Sequence, residues 1–220
     1  RQEPRGKRDR ALKLYDFGRA PNARRVRIFV AEKCIDVELI TVDLSAKEQM
    51  KNSYKSINPR LAVPALELDD GTILTESVAI CRYLEEVHPE PALLGNGALG
   101  KALVEMWHRR MELEGLQPCA EAVRNSVPFF EGRGLAGPHD FTQIPALAER
   151  GTQRIDIFFD MLNEHLDDSA FVAGDDYTIA DIAALCALDF AKVVKKRPRE
   201  EQSSLQRWYD EVSARPSAQA

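Results

Sequence analysis

The sequence lacks the cysteine spacing on which metal and dithiol redox centres depend. Its four cysteines are Cys34, Cys81, Cys119 and Cys186, and no two of them form a Cys-x-x-Cys pair. This spacing argues against a zinc site and against a dithiol redox centre. Each cysteine has an apolar helical context, so we expect buried free thiols in a reducing compartment, and hence a cytoplasmic protein.

Long apolar runs and a strong charge of one sign are also missing. Because no run of 18 apolar residues occurs, the sequence predicts no membrane span. The net charge of −5 gives no global attraction to nucleic acid. Residues 1–10 carry a basic cluster without apolar periodicity or a following apolar segment, and we predict a disordered leader there. His139 and His165 lack partners at metal-ligand spacing, so we expect no metal.

What is present is an ordinary globular composition, with 44% apolar and 30% charged residues. A chain of 220 residues fits two small domains. A cluster of prolines and glycines divides two kinds of periodicity. We therefore predict an α/β domain at 11–92, a linker at 93–100 and an all-helical domain at 101–220.

Residues 11–90 predict the order β-α-β-α-β-β-α. Pro21 suits the first turn of a helix, whose buried face is apolar and whose arginines Arg24, Arg25 and Arg27 we place outside it. Asp70-Gly71 between two apolar runs is a strong hairpin signal. Two parallel units followed by a hairpin indicate one mixed sheet covered by helices.

After the linker, apolar periodicity predicts helices at 101–126, 145–167, 178–194 and 203–214. Thr178 and Asp181 are spaced for reciprocal capping of the third of these helices, with Asp in place of the usual Glu.

Three features in the first domain suggest binding chemistry. Val63-Pro64 precedes the hairpin, where a trans bond would be unremarkable. A cis bond would instead turn the peptide groups of Val63 outward, toward an added extended peptide. Glu76-Ser77 starts a helix. Ser77 is either a plain N-cap or part of a site for an α-amino acid head, with Glu76 pairing the ammonium group and the helix tip holding the carboxylate.

The start of the first helix is the third feature. Its dipole could stabilise a thiolate, and Asn22 could donate a hydrogen bond to that thiolate. The alternative is that Asn22 and the nearby arginines are solvated residues of a first turn. Tyr15, in the first strand, is a weaker candidate that we expect to pack in the core.

Together, these motifs resemble the soluble (cytosolic) glutathione S-transferase family over about residues 11–218. The strings are Asn58-Pro59-x-x-x-Val63-Pro64-Ala65-Leu66, Asp70-Gly71, Thr75-Glu76-Ser77-x-Ala79-Ile80 and Thr178-Ile179-Ala180-Asp181-Ile182. A further string, Pro21-Asn22-x-Arg24-Arg25-Val26, resembles bacterial and phi-like members. The resemblance implies a thioredoxin-like domain, an all-α domain, glutathione as co-substrate and a homodimer with its long fourth helix in the interface.

The resemblance also implies site residues. Val63 would pair with the cysteinyl backbone of glutathione, Glu76 and Ser77 would hold its γ-glutamyl head, and Gln49 would contact its glycyl carboxylate. Several positions depart from the family pattern. Ala20 stands where relatives usually have a serine whose hydroxyl supports the thiolate. Leu61-Ala62 replaces the usual Gly-Gln or Gly-Lys, and Met50 occupies a position where a basic residue is common.

Two functions from different classes follow. The first is a detoxifying transferase that adds the glutathione thiolate to an apolar electrophile, in a cleft near Leu113, Leu116 and Phe130, with Asn22 as the catalytic donor. The second is a catalytically weak binding or interaction protein on the same fold, which Ala20, Leu61 and Ala62 would favour. Thiol-disulfide exchange through Cys34 fits poorly, because Cys34 follows the first helix instead of preceding it.

Overall fold

The computed structural model describes residues 12–220, so the predicted leader at 1–10 lies outside the described residues. The first half follows the predicted alternation. Its elements are β1 Lys13–Asp16, α1 Pro21–Glu32, β2 Glu38–Thr41, a 3₁₀ turn Glu48–Met50, α2 Asn52–Lys55, β3 Ala65–Glu67, β4 Ile73–Thr75 and α3 Ser77–Val87.

The strands form one mixed sheet in the order β2-β1-β3-β4, which confirms the predicted sheet. The hairpin at Asp70-Gly71 is also confirmed, since β3 and β4 pair antiparallel. The expectation of two parallel units is only half right: β1 and β2 are parallel, but β3 is antiparallel to β1. A parallel return usually needs a full crossover helix, and between β2 and β3 the chain forms only short helical turns.

The second half is helical, as predicted. Its elements are α4 Gly97–Arg110, a π-helical segment Met111–Leu116, α5 Gln117–Ser126, α6 Pro145–Asp167, α7 Ile179–Ala191 and α8 Ser203–Ser213. Helix α4 begins inside the range predicted as a linker, 93–100. Gly97 and Gly100 suggested a flexible segment, but a glycine within a helix costs only about 1 kcal/mol relative to alanine, which is too little to prevent the helix.

Both halves contribute to one continuous core. Leu14, Phe29 and Ile80 from the sheet half share a buried cluster with Phe158 and Trp208 from the helical half. Helix α1 lies between these halves, packed against α3 on one side and α7 on the other. It therefore has little solvent-facing surface.

The placement of the α1 arginines outside the core is wrong for two of the three. Arg25 and Arg27 are only 6% and 8% exposed. Each finds a carboxylate: Arg27 binds Asp16 at 2.5 Å, and Arg25 binds Glu112 at 2.8 Å. Packing on both sides of α1 buries positions that helical periodicity alone assigns to solvent.

The predicted capping box at the start of α7 is confirmed. Asp181 is fully buried and accepts hydrogen bonds from the backbone N–H groups of Thr178 and Val172 and from the indole of Trp208, each at 2.9 Å. The Thr178 hydroxyl is a fourth donor, at 3.3 Å. This carboxylate ties the helix start, the preceding loop and α8 together.

Three cysteines, Cys81, Cys119 and Cys186, are buried free thiols as predicted, but Cys34 is exposed. It lies past the end of α1 at a φ of 52°, where the chain leaves the core. Within residues 12–220, no helix has the length and apolar character that crossing a bilayer would need.

Candidate functional site

The predicted turn before β3 contains a cis peptide bond between Val63 and Pro64. The hairpin register pairs Ala65 with Thr75. Val63-Pro64 directly precedes β3, and α3 begins two residues after β4 ends. Because β3 and β4 pair antiparallel, the cis-proline segment and the start of α3 lie at the same end of the hairpin.

The peptide groups of Val63 have no hydrogen-bond partner in the described part of the chain. The loop around them is nevertheless fixed. The Ala62 carbonyl accepts hydrogen bonds from the Tyr54 hydroxyl and from the Asn58 amide, both at 2.7 Å. An ordered loop with an open N–H and C=O is the arrangement that an extended peptide can join as an added strand.

Leu61 has a backbone conformation that glycine adopts more readily than leucine. Its φ of 55° lies in the left-handed region, where a side chain costs about 1–2 kcal/mol. Leu61 is 8% exposed, so burial of its side chain offsets part of this cost.

The interpretation of Ser77 as a plain N-cap is wrong. Glu76 holds the N-cap position of α3, at a φ of 67°, and Ser77 is the first helical residue. Ser77 is 6% exposed, and its hydroxyl oxygen accepts a hydrogen bond from Arg25 Nη2 at 3.1 Å. Its own O–H can therefore still donate, next to the unpaired N–H groups of the helix tip.

Arg25 connects the predicted site residues to each other. The Nη2 that binds Ser77 also donates to Asn22 Oδ1 at 2.8 Å, while Nη1 donates to Glu112 Oε1 at 2.8 Å. Because a guanidinium only donates, it holds the Asn22 amide by its oxygen and leaves the amide N–H groups able to donate elsewhere. Arg25 thus brings Asn22 and Ser77 together.

The cluster contains one buried ion pair, between the guanidinium of Arg25 and the carboxylate of Glu112. Burial alone would raise the pKa of Glu112, but its hydrogen bond and ion pair with Arg25 lower it overall. His108 is fully buried, 3.5 Å from Arg25 Nη1. Burial lowers the pKa of His108 to about 4, and Arg25 adds to this against the opposing effect of Glu112. At neutral pH His108 is therefore uncharged.

The start of α1 has no side-chain cap at Ala20. The first helical hydrogen bond runs from the Arg24 N–H to the Ala20 carbonyl at 3.0 Å, which leaves the N–H groups of Asn22 and Ala23 without helical partners. The hydroxyl of Tyr15 has another partner. It donates to Glu67 at 2.7 Å, and burial together with this bond raises the pKa of Tyr15 to about 12.

Gln49 lies in the 3₁₀ turn at Glu48–Met50, apart from the Arg25 cluster. It is 9% exposed, and its Oε1 is buried without a hydrogen-bond partner among residues 12–220. No contact joins Gln49 to the other predicted residues in the described chain, so its role stays a prediction. Of the residues expected near the cleft, Leu116 lies in the main core, and Phe130 stacks against Arg124.

Sequence reasoning missed Arg25, Glu112 and His108 as site residues. One signal for Arg25 was available, because it stands three residues after Asn22 and so shares a helix face with it. Glu112 and His108 come from the helical half, and no local pattern links them to α1.

Comparisons with known proteins identify the family of the chain. A family model described as "Glutathione S-transferase, N-terminal domain" matches residues 14–92, and "Glutathione S-transferase, C-terminal domain" matches 135–216. Glutathione S-transferase 2 of Saccharomyces cerevisiae is 34% identical over 212 residues, covering 93% of this chain and 86% of that protein.

Solved structures give the same result. The crystal structure of Gtt2 from Saccharomyces cerevisiae superposes with a TM-score of 0.86 at 31% identity, covering 94% of this chain and 98% of that one. A glutathione S-transferase domain-containing protein of Marinobacter aquaeolei gives a TM-score of 0.84 at 33% identity, with 93% and 98% covered. The chain belongs to the soluble glutathione S-transferase family and is a glutathione transferase with that family's thioredoxin-like and all-helical domains.

Proposed function

We propose that the chain binds glutathione in an extended form along Val63 and adds its thiolate to an apolar electrophile held between the two domains. One observation carries the proposal: the peptide groups of Val63 have no partner among residues 12–220 and lie at the same end of the hairpin as the start of α3. The cysteinyl backbone of glutathione would complete both hydrogen bonds of Val63, as an added strand does.

The γ-glutamyl head of glutathione fits the tip of α3. Its α-carboxylate would accept hydrogen bonds from the Ser77 hydroxyl and from the first N–H groups of the helix, where the helix dipole favours negative charge. Its ammonium group would pair with the exposed carboxylate of Glu76. Gln49 would donate its amide to the glycyl carboxylate at the other end of the tripeptide.

The thiolate would lie at the start of α1. A free thiol has a pKa of about 8.5, so a small fraction is ionised at neutral pH. A hydrogen bond to the charged sulfur is worth about 1.5–3 kcal/mol, or about one to two pKa units. Asn22 and the first-turn N–H groups would supply this in place of the serine that Ala20 replaces. The sulfur then bonds to the electrophilic carbon, and a leaving group such as halide departs with the bonding electrons.

Kinetics and calorimetry on one preparation test this function. We expect glutathione to bind and a chlorodinitrobenzene to be conjugated. Ser77→Ala should raise the dissociation constant of glutathione at least tenfold, because it removes a donor to the carboxylate. Ser53→Ala, at an exposed serine of α2, is the matched control. Unchanged binding in Ser77→Ala would contradict the site, and binding without turnover would favour the interaction protein.

A homodimer is part of the proposal. Three apolar side chains on one face of α4 are exposed: Leu99 at 73%, Leu103 at 41% and Met106 at 47%. Their spacing of four and three residues makes a continuous stripe, which a second copy could cover. Leu103→Glu should shift sedimentation toward a monomer, whereas Val193→Glu, at an exposed site outside α4, should not.

We further propose a cytoplasmic location and a role in detoxification. Four unpaired cysteines favour a reducing compartment. An apolar second site suits the scavenging of reactive apolar compounds. Fractionation of cells that express the chain, and survival of a deletion strain under electrophile stress, test these two points.

A further inference from the structure

Two arginines in and after α5 have no acidic partner among residues 12–220. Arg124 lies in the last turn of α5, and Arg133 lies in the loop that follows this helix. None of the ion pairs formed within residues 12–220 includes either side chain. The buried arginines of α1, in contrast, are each matched with a carboxylate.

Arg124 is fixed by an aromatic ring. Its guanidinium carbon stands 4.7 Å from the centre of the Phe130 ring, and its Nε is buried with no hydrogen-bond partner in the described chain. Burial, and then the positive charge of Arg133, lower the pKa of Arg124 to about 10. The backbone N–H of Arg133 donates to the carbonyl of Phe130 at 2.8 Å, so the residue whose ring contacts Arg124 is also bonded to Arg133.

Arg133 reaches across to the first domain. Its Nη1 lies 3.0 Å from the sulfur of Met50, and its Nη2 donates to the Gly137 carbonyl at 3.2 Å. Its Nε, like that of Arg124, is buried without a partner in the described residues. Met50 directly follows Gln49, whose buried Oε1 is also unpaired. The guanidinium of Arg133 thus stands beside the predicted glycyl end of the glutathione site.

The loop that carries Arg133 is anchored to α5. Asn125 Oδ1 accepts from the Ile144 N–H at 2.9 Å, and the Gln143 amide donates to the Arg124 carbonyl at 2.8 Å. The Gly134 N–H also donates to the Phe141 carbonyl at 2.8 Å. These bonds hold the two arginines in place before any ligand arrives, which lowers the entropy cost of binding one.

We propose that Arg124 and Arg133 together bind a carboxylate next to Met50 and Phe130, the side chains that the two guanidinium groups contact. A carboxylate offers two oxygens to planar, charged donors, and it removes the repulsion between the guanidinium groups. The proposal rests on the proposed function. The carboxylate is either the glycyl end of glutathione or a group on the second substrate, which would then be an acidic aryl or alkenyl electrophile instead of a purely apolar one.

Matched ligands separate the two sources. The variants are Arg124→Met, Arg133→Met and the double variant, with Arg197→Met, at an exposed position outside this cleft, as the control. One ligand pair is a chlorodinitrobenzene and the corresponding chloronitrobenzoate. The other is glutathione and its glycyl ethyl ester. Charge-assisted hydrogen bonds are worth enough to change binding tenfold or more.

If the electrophile supplies the carboxylate, kcat/KM for the benzoate falls at least tenfold in the variants and stays within twofold for the neutral halide. If glutathione supplies it, the calorimetric dissociation constant of glutathione rises at least tenfold and that of the ester does not change. Changes within twofold for all ligands, in variants whose melting temperatures are intact, overturn the proposal.

Two further measurements keep the test decisive. If the variants do not fold, the dissociation constants of the wild-type protein replace them. The wild-type protein must bind the benzoate more tightly than the neutral halide, or glutathione more tightly than its ester, and this difference must disappear at high salt. Equal affinities overturn the proposal. Should wild type fail to conjugate either halide, the proposed function is contradicted. Calorimetry with nitrobenzoate then tests whether the two arginines bind a carboxylate. If nitrobenzoate does not bind, the proposal is refuted.

Discussion

Two buried polar clusters, one around Asp181 and one around Arg25, use charge in opposite ways. Asp181 takes four hydrogen bonds from Thr178, Val172 and Trp208, all of them neutral donors within the helical half. Arg25 joins charged and polar groups from both halves. It leaves its own Nε, and the Nδ1 of His108, buried without partners in the described chain.

The difference indicates that the Asp181 cluster has a structural role and that the Arg25 cluster has a functional one. A fully satisfied carboxylate fixes the relative positions of helices, and nothing about it needs a ligand. A cluster with open donors next to a helix tip keeps capacity for a bound molecule. We therefore expect changes at Asp181 to affect the free energy of unfolding, and changes around Arg25 to affect binding and rate.

The largest effect should come from Asp181→Ala. It leaves two backbone N–H groups and the Trp208 indole buried without an acceptor. Each unpaired donor costs about 1–3 kcal/mol of stability where the structure does not rearrange to give it a new partner. We expect a loss of about 3–5 kcal/mol in the free energy of unfolding, measured by urea denaturation. The control is Asp176→Ala, at a nearby exposed residue. A loss below about 1 kcal/mol would contradict the structural role, and Asp181→Asn gives a graded version if the alanine variant does not fold.

The two clusters should also respond to pH in opposite directions. Burial lowers the pKa of His108 from 6.5 to about 4, so its stabilising contribution is complete above pH 6.5 and is lost as the pH falls toward 4. Burial raises the pKa of Asp181 from 3.8 to about 6, so its contribution is complete below pH 3.8 and is lost as the pH rises toward 6. Each effect corresponds to about 3 kcal/mol at most.

Differences from matched variants isolate these slopes. The free energy of unfolding of wild type minus that of His108→Gln should decrease as the pH is lowered from 6.5 to 4. The free energy of unfolding of wild type minus that of Asp181→Asn should decrease as the pH is raised from 4 to 6. Denaturant titrations at several pH values measure both. If both differences change with pH in the same direction, burial does not shift the pKa values of His108 and Asp181 in opposite directions, and the prediction is wrong.

Arg25→Met should lower kcat/KM by about ten- to a hundredfold. It releases both Asn22 and Ser77 and leaves Glu112 without its main partner. KM for glutathione should rise, because Ser77 would hold the γ-glutamyl head in the proposed site. Arg82→Met removes a 58% exposed arginine that pairs loosely with Glu105, and it should leave both constants within twofold. An Arg25→Met protein that folds and keeps wild-type kinetics would show that this cluster is purely structural.

The smallest effect should come from Asn22→Ala, a drop in kcat of about tenfold with little change in the KM for glutathione. Asn22 is exposed, so melting temperature should not change. Asn52→Ala, also exposed, is the control. An unaltered kcat would mean that the helix N–H groups alone support the thiolate and that the assignment of Asn22 is wrong.

Local rules of sequence predicted much of the fold. The Asp-Gly hairpin, the capping box at Thr178 and Asp181 and the range of α6 all depend on neighbours within a few residues. The same rules misplaced Arg25 and Arg27, because a period of 3.6 identifies one buried face and cannot show that α1 is covered on two sides. The start of α4 was placed four residues too late for a different reason: Gly97 and Gly100 indicate a break in the helix, but glycine disfavours a helix by only about 1 kcal/mol.

In the candidate site, too, residues that are close in sequence were predicted and residues joined by long-range contacts were not. Val63, Glu76 and Ser77 lie on the hairpin and its adjoining helix, so short-range pattern brings them together. Arg25 links α1 to Glu112 and His108 across more than eighty residues of chain. Arg133 likewise meets Met50 only through the packing of the two halves. Contacts of this kind depend on the assembled fold, and a single sequence does not display them.

A crystal structure of the protein soaked with glutathione tests the central assignment most directly. We predict that the cysteinyl backbone pairs with the N–H and C=O of Val63 and that the γ-glutamyl carboxylate lies on the Ser77 hydroxyl. Glutathione bound elsewhere, with the Val63 peptide left open, would contradict the account.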